Sequence, residues 1–460
     1  MPYGIDCEEI LHLLLDYFKE TPCQTALLTP HSIKKEDLKC EASWPIAYRT
    51  FHWKLGVGLS LDDIDPEPIN PNKKFNFEDF GEMIKKRPGY RMGYFTYEMG
   101  QSDESNFNNL PKAHGAPPIA FWFRPSLLIR CNNNTLEFIR DDHNKKDVLI
   151  EHIITHFKKP KDTNYNNVFL KSKLFQEPEP QINSREYFYK LKEIKRNIRN
   201  GDYYELNFCI EWILHNENFE PLPTWAKLTK EIKSPFSAYV FYNDLHILSL
   251  SPERFLKREN DHIISQPIKG TIKRKKDLIN DQKQILRLYN STKDRAEHNM
   301  IVDLMRNDLA QVGDPISIQA LELHKISTFN HIHHMISSIQ VKVKENITAE
   351  KILKTCFPPG SMTGAPKKAV CKKIAELENK NRGIFSGIIG YVDENAKNFD
   401  FNIVIRTIIY ESSTKQISVQ SGGAITIDSE SKQEWRECLM KANKLFKGLS
   451  KNSQTLKETL

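Results

Sequence analysis

Lys269 lies in "SQPIKGTIKR", Ser265 to Arg274, between an isoleucine and a glycine. A strand-like run, a glycine turn and a basic tail surround it. Such a lysine is either one more solvated charge or a nucleophile. To attack, it must be neutral, and at an ordinary pKa of ~10.4 only about one in 2,500 is neutral at pH 7. Burial and nearby positive charge would depress that value.

Acidic residues recur beside the apolar stripes of two helical segments. In "STKDRAEHNMIVDLMRNDLAQVG", Ile301, Leu304, Met305, Leu309 and Val312 form one stripe at helical spacing. Extended backwards, the stripe meets Glu297 and then Asp294. Asp294 equally fits a capping box with Ser291, whereas Glu297 is too deep in the helix to cap it. In "SKQEWRECLMKANKLFKGL", Glu434, Glu437 and Lys441 share a face. That face reads as a solvated Glu437–Lys441 pair worth only ~0.3–0.5 kcal/mol. Two helices that each offer carboxylates three residues apart also suit a hard cation such as Mg2+. That ion takes few protein carboxylates and keeps positions for substrate oxygens.

Arg406 falls in "FDFNIVIRTIIY", read as one strand apolar on both faces and therefore covered on both. A surface edge would explain it, but a buried anion partner explains it better, because an unpaired buried charge is costly and Arg holds carboxylates bidentately. "PPGSMTGAPKK" sets Gly360, Ser361, Thr363 and Gly364 just before a helix, where backbone N–H groups can hold an anion. "QSGGAI" sets Gly422 and Gly423 between two strands, where a ligand can approach the backbone. Each is also readable as a plain tight turn. Neither is a Walker or Rossmann loop, so no nucleotide is expected.

The elements that must position these groups are unevenly distributed. The chain has 460 residues, two or three units at roughly 100–200 residues per domain. Residues 1–170 read as a mixed α/β N-terminal region, 171–184 as a linker, and 185–455 as a more regular catalytic region. Strands and helices come in clusters rather than in βαβ alternation, which predicts α+β with antiparallel sheets. A net charge of +7 permits nucleic acid or a small anion and chooses neither. The basic run Lys273–Lys276 carries no interleaved aromatics and reads as a solvated loop. Eight cysteines without a C-x-x-C pair argue against a zinc site or a disulfide framework, and for reduced thiols in the cytoplasm. No signal peptide and no run of ~18 apolar residues is present, so no membrane association is expected.

"LSLSPERF", "QPIKGTIKR", "DRAEHNMIVDLMRNDLA", "HIHHMISS", "GSMTGAPK", "FSGIIGY", "FNIVIRT" and "SGGAITIDS" together resemble the chorismate-utilising enzymes. That family contains the anthranilate, aminodeoxychorismate, isochorismate and salicylate synthases. The motifs occur in family order across about 185–455. The resemblance implies a large two-sheet α/β sandwich with outer helices, binding one Mg2+. Pro-Ile-Lys-Gly-Thr around Lys269, and Asn207 in "GDYYELNF", look like the aminodeoxychorismate synthase branch. Anthranilate synthases usually carry a small residue at the position of Lys269.

On that resemblance Glu297 and Glu437 would bind Mg2+, with Glu434 and Asp294 close by and linked through water. Arg406, Tyr391 and the amides near Gly422 and Ala424 would hold the carboxylates of chorismate. Ser361, Thr271 and Lys441 would complete the substrate contacts. His334 matches the active-site histidine; taken alone, it reads as a histidine in a polar run on a helix. Lys269 would attack C2 while the C4 hydroxyl leaves with a proton from Glu253. Ammonia would then attack C4 and expel the lysine, giving 4-amino-4-deoxychorismate for p-aminobenzoate and folate. No glutaminase signature is visible, so ammonia is expected from a separate glutaminase subunit.

Some positions depart from the family pattern. Ala424 stands where the turn usually has glycine, Pro359 where glycine is commoner, and Glu211 where a basic residue often follows Asn207. The Leu-Leu-Glu-Ser stretch of tryptophan-regulated relatives is missing. The alternatives are anthranilate synthase component I or isochorismate synthase chemistry on the same scaffold. From a different class comes a non-catalytic basic binding protein.

Overall fold

The computed structural model describes residues 7–18, 24–29, 53–59, 63–65, 75–101, 117–132, 135–158, 178–329 and 331–449. Two large sheets dominate, and every strand pairing within them is antiparallel. The eleven-stranded sheet has Glu205–His215, Gln416–Ile425, Thr407–Glu411, Leu245–Ser251 and Phe236–Tyr242 side by side. It continues through Gln24–Thr29, Trp53–Gly58, Leu127–Asn132 and Thr135–Asp141. The nine-stranded sheet begins with Ile268–Lys273, Ile332–Lys342, His262–Gln266 and Arg254–Glu259. It ends with Phe399–Ile403, Ile388–Val392, Arg91–Phe95 and Ala120–Phe123. Strands from either side of the 171–184 stretch thus share both sheets; residues 171–177 themselves lie outside the described residues.

The apolar residues explain the layering. Met92, Tyr94 and Ile389 from one sheet meet Val240, Ile247 and Ile409 from the other in a core between the sheets. The outer face of the eleven-stranded sheet is covered by helices Ser184–Asn200, Pro221–Ile232 and Ser431–Leu449. Helices Phe77–Lys86, Thr292–Val312 and Ala349–Cys356 cover the outer face of the other. Each aliphatic side chain buried this way contributes roughly 1.5–3 kcal/mol, so sheets apolar on both faces are held from both sides. This is the α+β two-sheet sandwich with outer helices that the resemblance implies.

Several local expectations change. "FDFNIVIRTIIY" is not one strand: Phe399–Ile403 and Thr407–Glu411 belong to different sheets. Arg406 sits at the crossing with a left-handed φ of 51°. An apolar run covered on both faces has the same composition whether it stays in one sheet or changes sheets, so the pattern alone misses the break. "QSGGAI" is no turn; Gln416–Ile425 is one continuous strand, with Gly422 opposite Cys209 and Ala424 opposite Asn207. A Cβ on Gly422 would lie 2.3 Å from the Phe208 carbonyl oxygen, so glycine is required by close approach of the neighbouring strand. His334 is on the strand Ile332–Lys342 rather than on a helix. Gly364–Ala365 is a short strand against Leu206 and Glu205, which separates the Gly360–Met362 turn from the helix Lys367–Glu378. The helix from Ser184 is capped one residue earlier, by Asn183 accepting from the Glu186 amide.

Candidate active site

Lys269 stands where the two sheets meet. It is carried by Ile268–Lys273, at the end of the nine-stranded sheet. Its Nζ donates to Glu205 Oε1 at 2.9 Å, and Glu205 opens the strand Glu205–His215 of the other sheet. Their side chains are 13 % and 1 % exposed. Gly270 follows with φ +83°, and a Cβ there would lie 3.2 Å from the Asp294 Cβ. Glycine therefore allows both the backbone conformation and the close approach of helix Thr292–Val312.

The charge balance around Lys269 differs from the expectation of a depressed pKa. Burial alone would lower it, but Glu205, with Glu297 and Glu253 adding, outweighs burial and leaves the ammonium above the ordinary lysine value. The carboxylates supply more favourable field than burial removes.

Glu253 is buried at the passage from Leu245–Ser251 to Arg254–Glu259, where the chain leaves one sheet for the other. Burial pushes its carboxyl up to about 7, against the pull of Ser361, Lys269 and Arg406. Ser361 is buried, and its hydroxyl meets no hydrogen-bond partner among the described residues. Its backbone is fixed by Asn207, whose Nδ2 donates to the Ser361 carbonyl at 3.1 Å. The Ser361 hydroxyl, short of a well-formed hydrogen bond, faces the Glu253 carboxyl and lowers it against burial.

The other candidate groups fall in two places around this point. Thr271 pairs across the sheet with His334, Oγ1 and Nδ1 standing 3.0 Å apart. Burial, with Arg406, Lys444 and His333 adding, holds His334 well below the usual imidazole range, so it is neutral. Burial and Arg406 likewise lower Lys444 to about 8. On the final helix, Glu434 accepts from the Ser429 hydroxyl at 2.8 Å. Lys441 donates to Glu437 Oε1 and to the Gly422 carbonyl, both at 2.7 Å. The Glu437–Lys441 pair is therefore anchored to the sheet and not merely solvated. Lys441 holds the Glu437 carboxyl below its usual value, while burial raises that of Glu434.

Glu297, on the other helix, is raised to about 6, chiefly by burial. Lys293 lies 3.8 Å from Glu297 and also acts on Glu434 and Glu437. The acids of the two helices therefore share one field. Among the described residues, no three His, Cys, Asp or Glu side chains stand together as a ready metal cage. The donors are all hard carboxylate oxygens, and two of them carry a burial cost that a divalent cation would offset. That chemistry fits Mg2+ held by few protein ligands, with substrate oxygens completing the shell. Asp294 is placed at the helix start, its amide bonded to the Ser291 hydroxyl at 3.3 Å; the cap reading holds for its backbone.

Tyr391 is on the strand Ile388–Val392 of the nine-stranded sheet. It stacks on Tyr90 with centroids 5.5 Å apart, and Lys54 Nζ lies 3.6 Å over its ring. Three supporting residues carried no sequence expectation. Glu205 is the ion partner of Lys269. Ser429 orients Glu434. Arg382 is fully buried and donates to Glu378 (2.7 Å), the Asn207 carbonyl (2.8 Å) and the Met362 carbonyl (2.7 Å). The rule applied to Arg406, a charge inside an apolar strand, would also have marked Glu205.

The chorismate binding enzyme family matches residues 61–447. Aminodeoxychorismate synthase component 1 of Salmonella typhimurium is 38 % identical over 261 residues, 57 % of each chain. That of Escherichia coli is 36 % identical over 299 residues, 63 % of this chain and 65 % of its relative. The match thus spans less than two thirds of either relative's length. The menaquinone-specific isochorismate synthase of Escherichia coli superposes with a TM-score of 0.68 at 14 % identity, covering 97 % of this chain and 92 % of the other. No described helix is long and apolar enough to cross a membrane.

Proposed function

This chain belongs to the chorismate binding enzyme family, and from that premise we propose that it converts chorismate and ammonia to 4-amino-4-deoxychorismate. The product feeds p-aminobenzoate and folate biosynthesis, and the ammonia comes from a separate glutaminase subunit in the cytoplasm. The observation that carries the reading is the buried amine of Lys269, set among carboxylates beside the near-neutral acid Glu253. The names of the curated relatives in this branch support the same choice.

Chorismate is a dianion with a hydroxyl at C4. Arg406 and the Gly422–Ala424 strand are the proposed carboxylate contacts. Ser361, Thr271, Lys441 and neutral His334 supply further hydrogen-bonding groups. Glu297 and Glu437, with Glu434 and Asp294 nearby, would hold Mg2+, which as a Lewis acid stabilises charge growing on the ring carboxylate. Tyr391 is a further proposed carboxylate contact.

Lys269 Nζ forms a bond to C2 as the ring double bonds shift and the C4–O bond breaks, and Glu253 gives its proton to the departing oxygen, releasing water. Ammonia then bonds to C4, the double bonds shift back, and the lysine amine departs. The product ammonium returns a proton to Glu253. Splitting one difficult substitution into two easier ones is the gain of a covalent route.

Mass spectrometry of the products from chorismate, Mg2+ and ammonium decides the reading. Aminodeoxychorismate is the expected product. Anthranilate or isochorismate would assign the chain to another branch. No turnover, together with steeply salt-dependent DNA binding, would favour a basic binding protein.

A further inference from the structure

We propose that Glu205 and Lys269 share one proton, with Glu205 taking it from the Lys269 amine as the amine attacks and returning it when the amine departs. The inference rests on the reading of Lys269 as nucleophile given above. It starts from geometry. The two side chains come from different sheets, are both buried, and meet at 2.9 Å through Glu205 Oε1. The second oxygen, Oε2, is buried and meets no hydrogen-bond partner among the described residues.

Such a pair constrains where the proton can go. If Lys269 lost its proton to solvent, Glu205 would remain a buried carboxylate without its counter-charge, at a cost of several kcal/mol. Transfer to Glu205 leaves both groups neutral, and a dry environment favours the neutral pair over the separated charges. Closure of substrate over the site would expel water and move the balance that way. Other groups act on Lys269: Glu253 from the inter-sheet passage, Glu297 and His298 from helix Thr292–Val312, and Glu437 from the final helix. Among the described residues, the hydrogen bond of the amine goes to Glu205.

Proton transfer gives Lys269–NH2 and Glu205–COOH. Attack on C2 makes a secondary ammonium, and its departure regenerates Lys269–NH2, which takes its proton back from Glu205. Glu253 spends and recovers a separate proton.

The test uses the full chain and Glu205→Gln, with two readouts. The first is the pH dependence of Lys269 labelling by an amine reagent, read by peptide mass spectrometry without turnover. Removal of the carboxylate should lower the labelling midpoint by about one pH unit or more. An unchanged midpoint overturns the inference whatever reaction the enzyme runs. The second is turnover of chorismate with ammonium. The variant should lose about tenfold or more at pH 7, then gain rate with pH up to its new midpoint, because its amine must deprotonate to solvent. Glu205→Ala should regain activity with added formate, which a purely structural role would not allow. Wild-type rate and pH profile in Glu205→Gln would overturn the shared proton and leave the proposed reaction standing. A wild-type enzyme that makes no aminodeoxychorismate would sink the proposed reaction, and the labelling profile would still decide the pairing.

Discussion

Gly423 lies beneath the Glu434 carboxylate: a methyl on its Cα would come within 3.1 Å of Glu434 Oε2 and 3.9 Å of Glu437 Oε1. The strand thus offers a bare floor to the acids of the final helix. Gly423→Ala would push Glu434 by a few tenths of an ångström without touching the backbone of a neighbouring strand. The fold should survive, with a melting shift equivalent to ~1 kcal/mol or less, while the Mg2+ concentration for half-maximal turnover rises several-fold. Gly422→Ala should behave oppositely. Its methyl meets the Phe208 carbonyl at 2.3 Å, so it should destabilise by ~1–3 kcal/mol. Thermal unfolding without metal and a Mg2+ titration of turnover separate the two effects. Equal metal dependence in Gly423→Ala and wild type would remove Gly423 from the site.

Lys269→Ala should lose aminodeoxychorismate formation by roughly a thousandfold or more, while chorismate still binds through Arg406 and the strand backbone. The variant also leaves Glu205 without its ion partner, so some stability is lost through a buried carboxylate that must be protonated. Product analysis and calorimetric titration with chorismate check the two halves. Unchanged turnover would end the nucleophile proposal.

Glu437→Gln should weaken the response to Mg2+ by about tenfold or more. It keeps the side-chain shape and removes only the charge that Lys441 orients. Lys441→Met should produce a smaller shift in the same direction, because the carboxylate stays but loses its tether to the Gly422 carbonyl. Addition of chelator should abolish turnover of the wild type. A Mg2+ titration that overlays wild type in both variants would count against the assignment.

What could be read in the sequence was whatever repeats at short range. Helical spacing set Glu297 and Asp294 beside the apolar stripe, and set Glu434, Glu437 and Lys441 on one face; both segments are helices, with Glu297 and Asp294 half-buried at the edge of the stripe. What could not be read depends on partners far along the chain. Nothing near Lys269 announces Glu205, 64 positions away. The exit of Arg406 from one sheet into another leaves the apolar pattern unchanged. The sign of the Lys269 shift depends on three carboxylates from three separate elements, so a count of nearby cations misjudged it. Arg382 carries no signal in its polar stretch, because the groups that enclose its donors come together only in three dimensions.

The pH dependence of stability gives a test of Glu253 that does not require substrate. Burial raises its carboxyl from 4.5 to about 7. Between those values the folded chain binds a proton that the unfolded chain has already released, so stability falls as pH rises through the window. Below about 4.5 both states are protonated and the group contributes no slope; above about 7 the full penalty, up to about 3 kcal/mol, is present. Glu297, raised to about 6, slopes the same way, so the informative quantity is the difference between wild type and Glu253→Gln. The amide never ionises. Its melting curve should therefore gain on the wild type across pH 4.5–7 and stay ahead above that range. Turnover should show the complementary behaviour: a wild-type rate that declines above about pH 7 as the acid loses its proton, and almost none at any pH in the variant. Two stability curves that run parallel from pH 4 to 8 would mean that Glu253 ionises like an ordinary carboxylate and cannot be the proton donor.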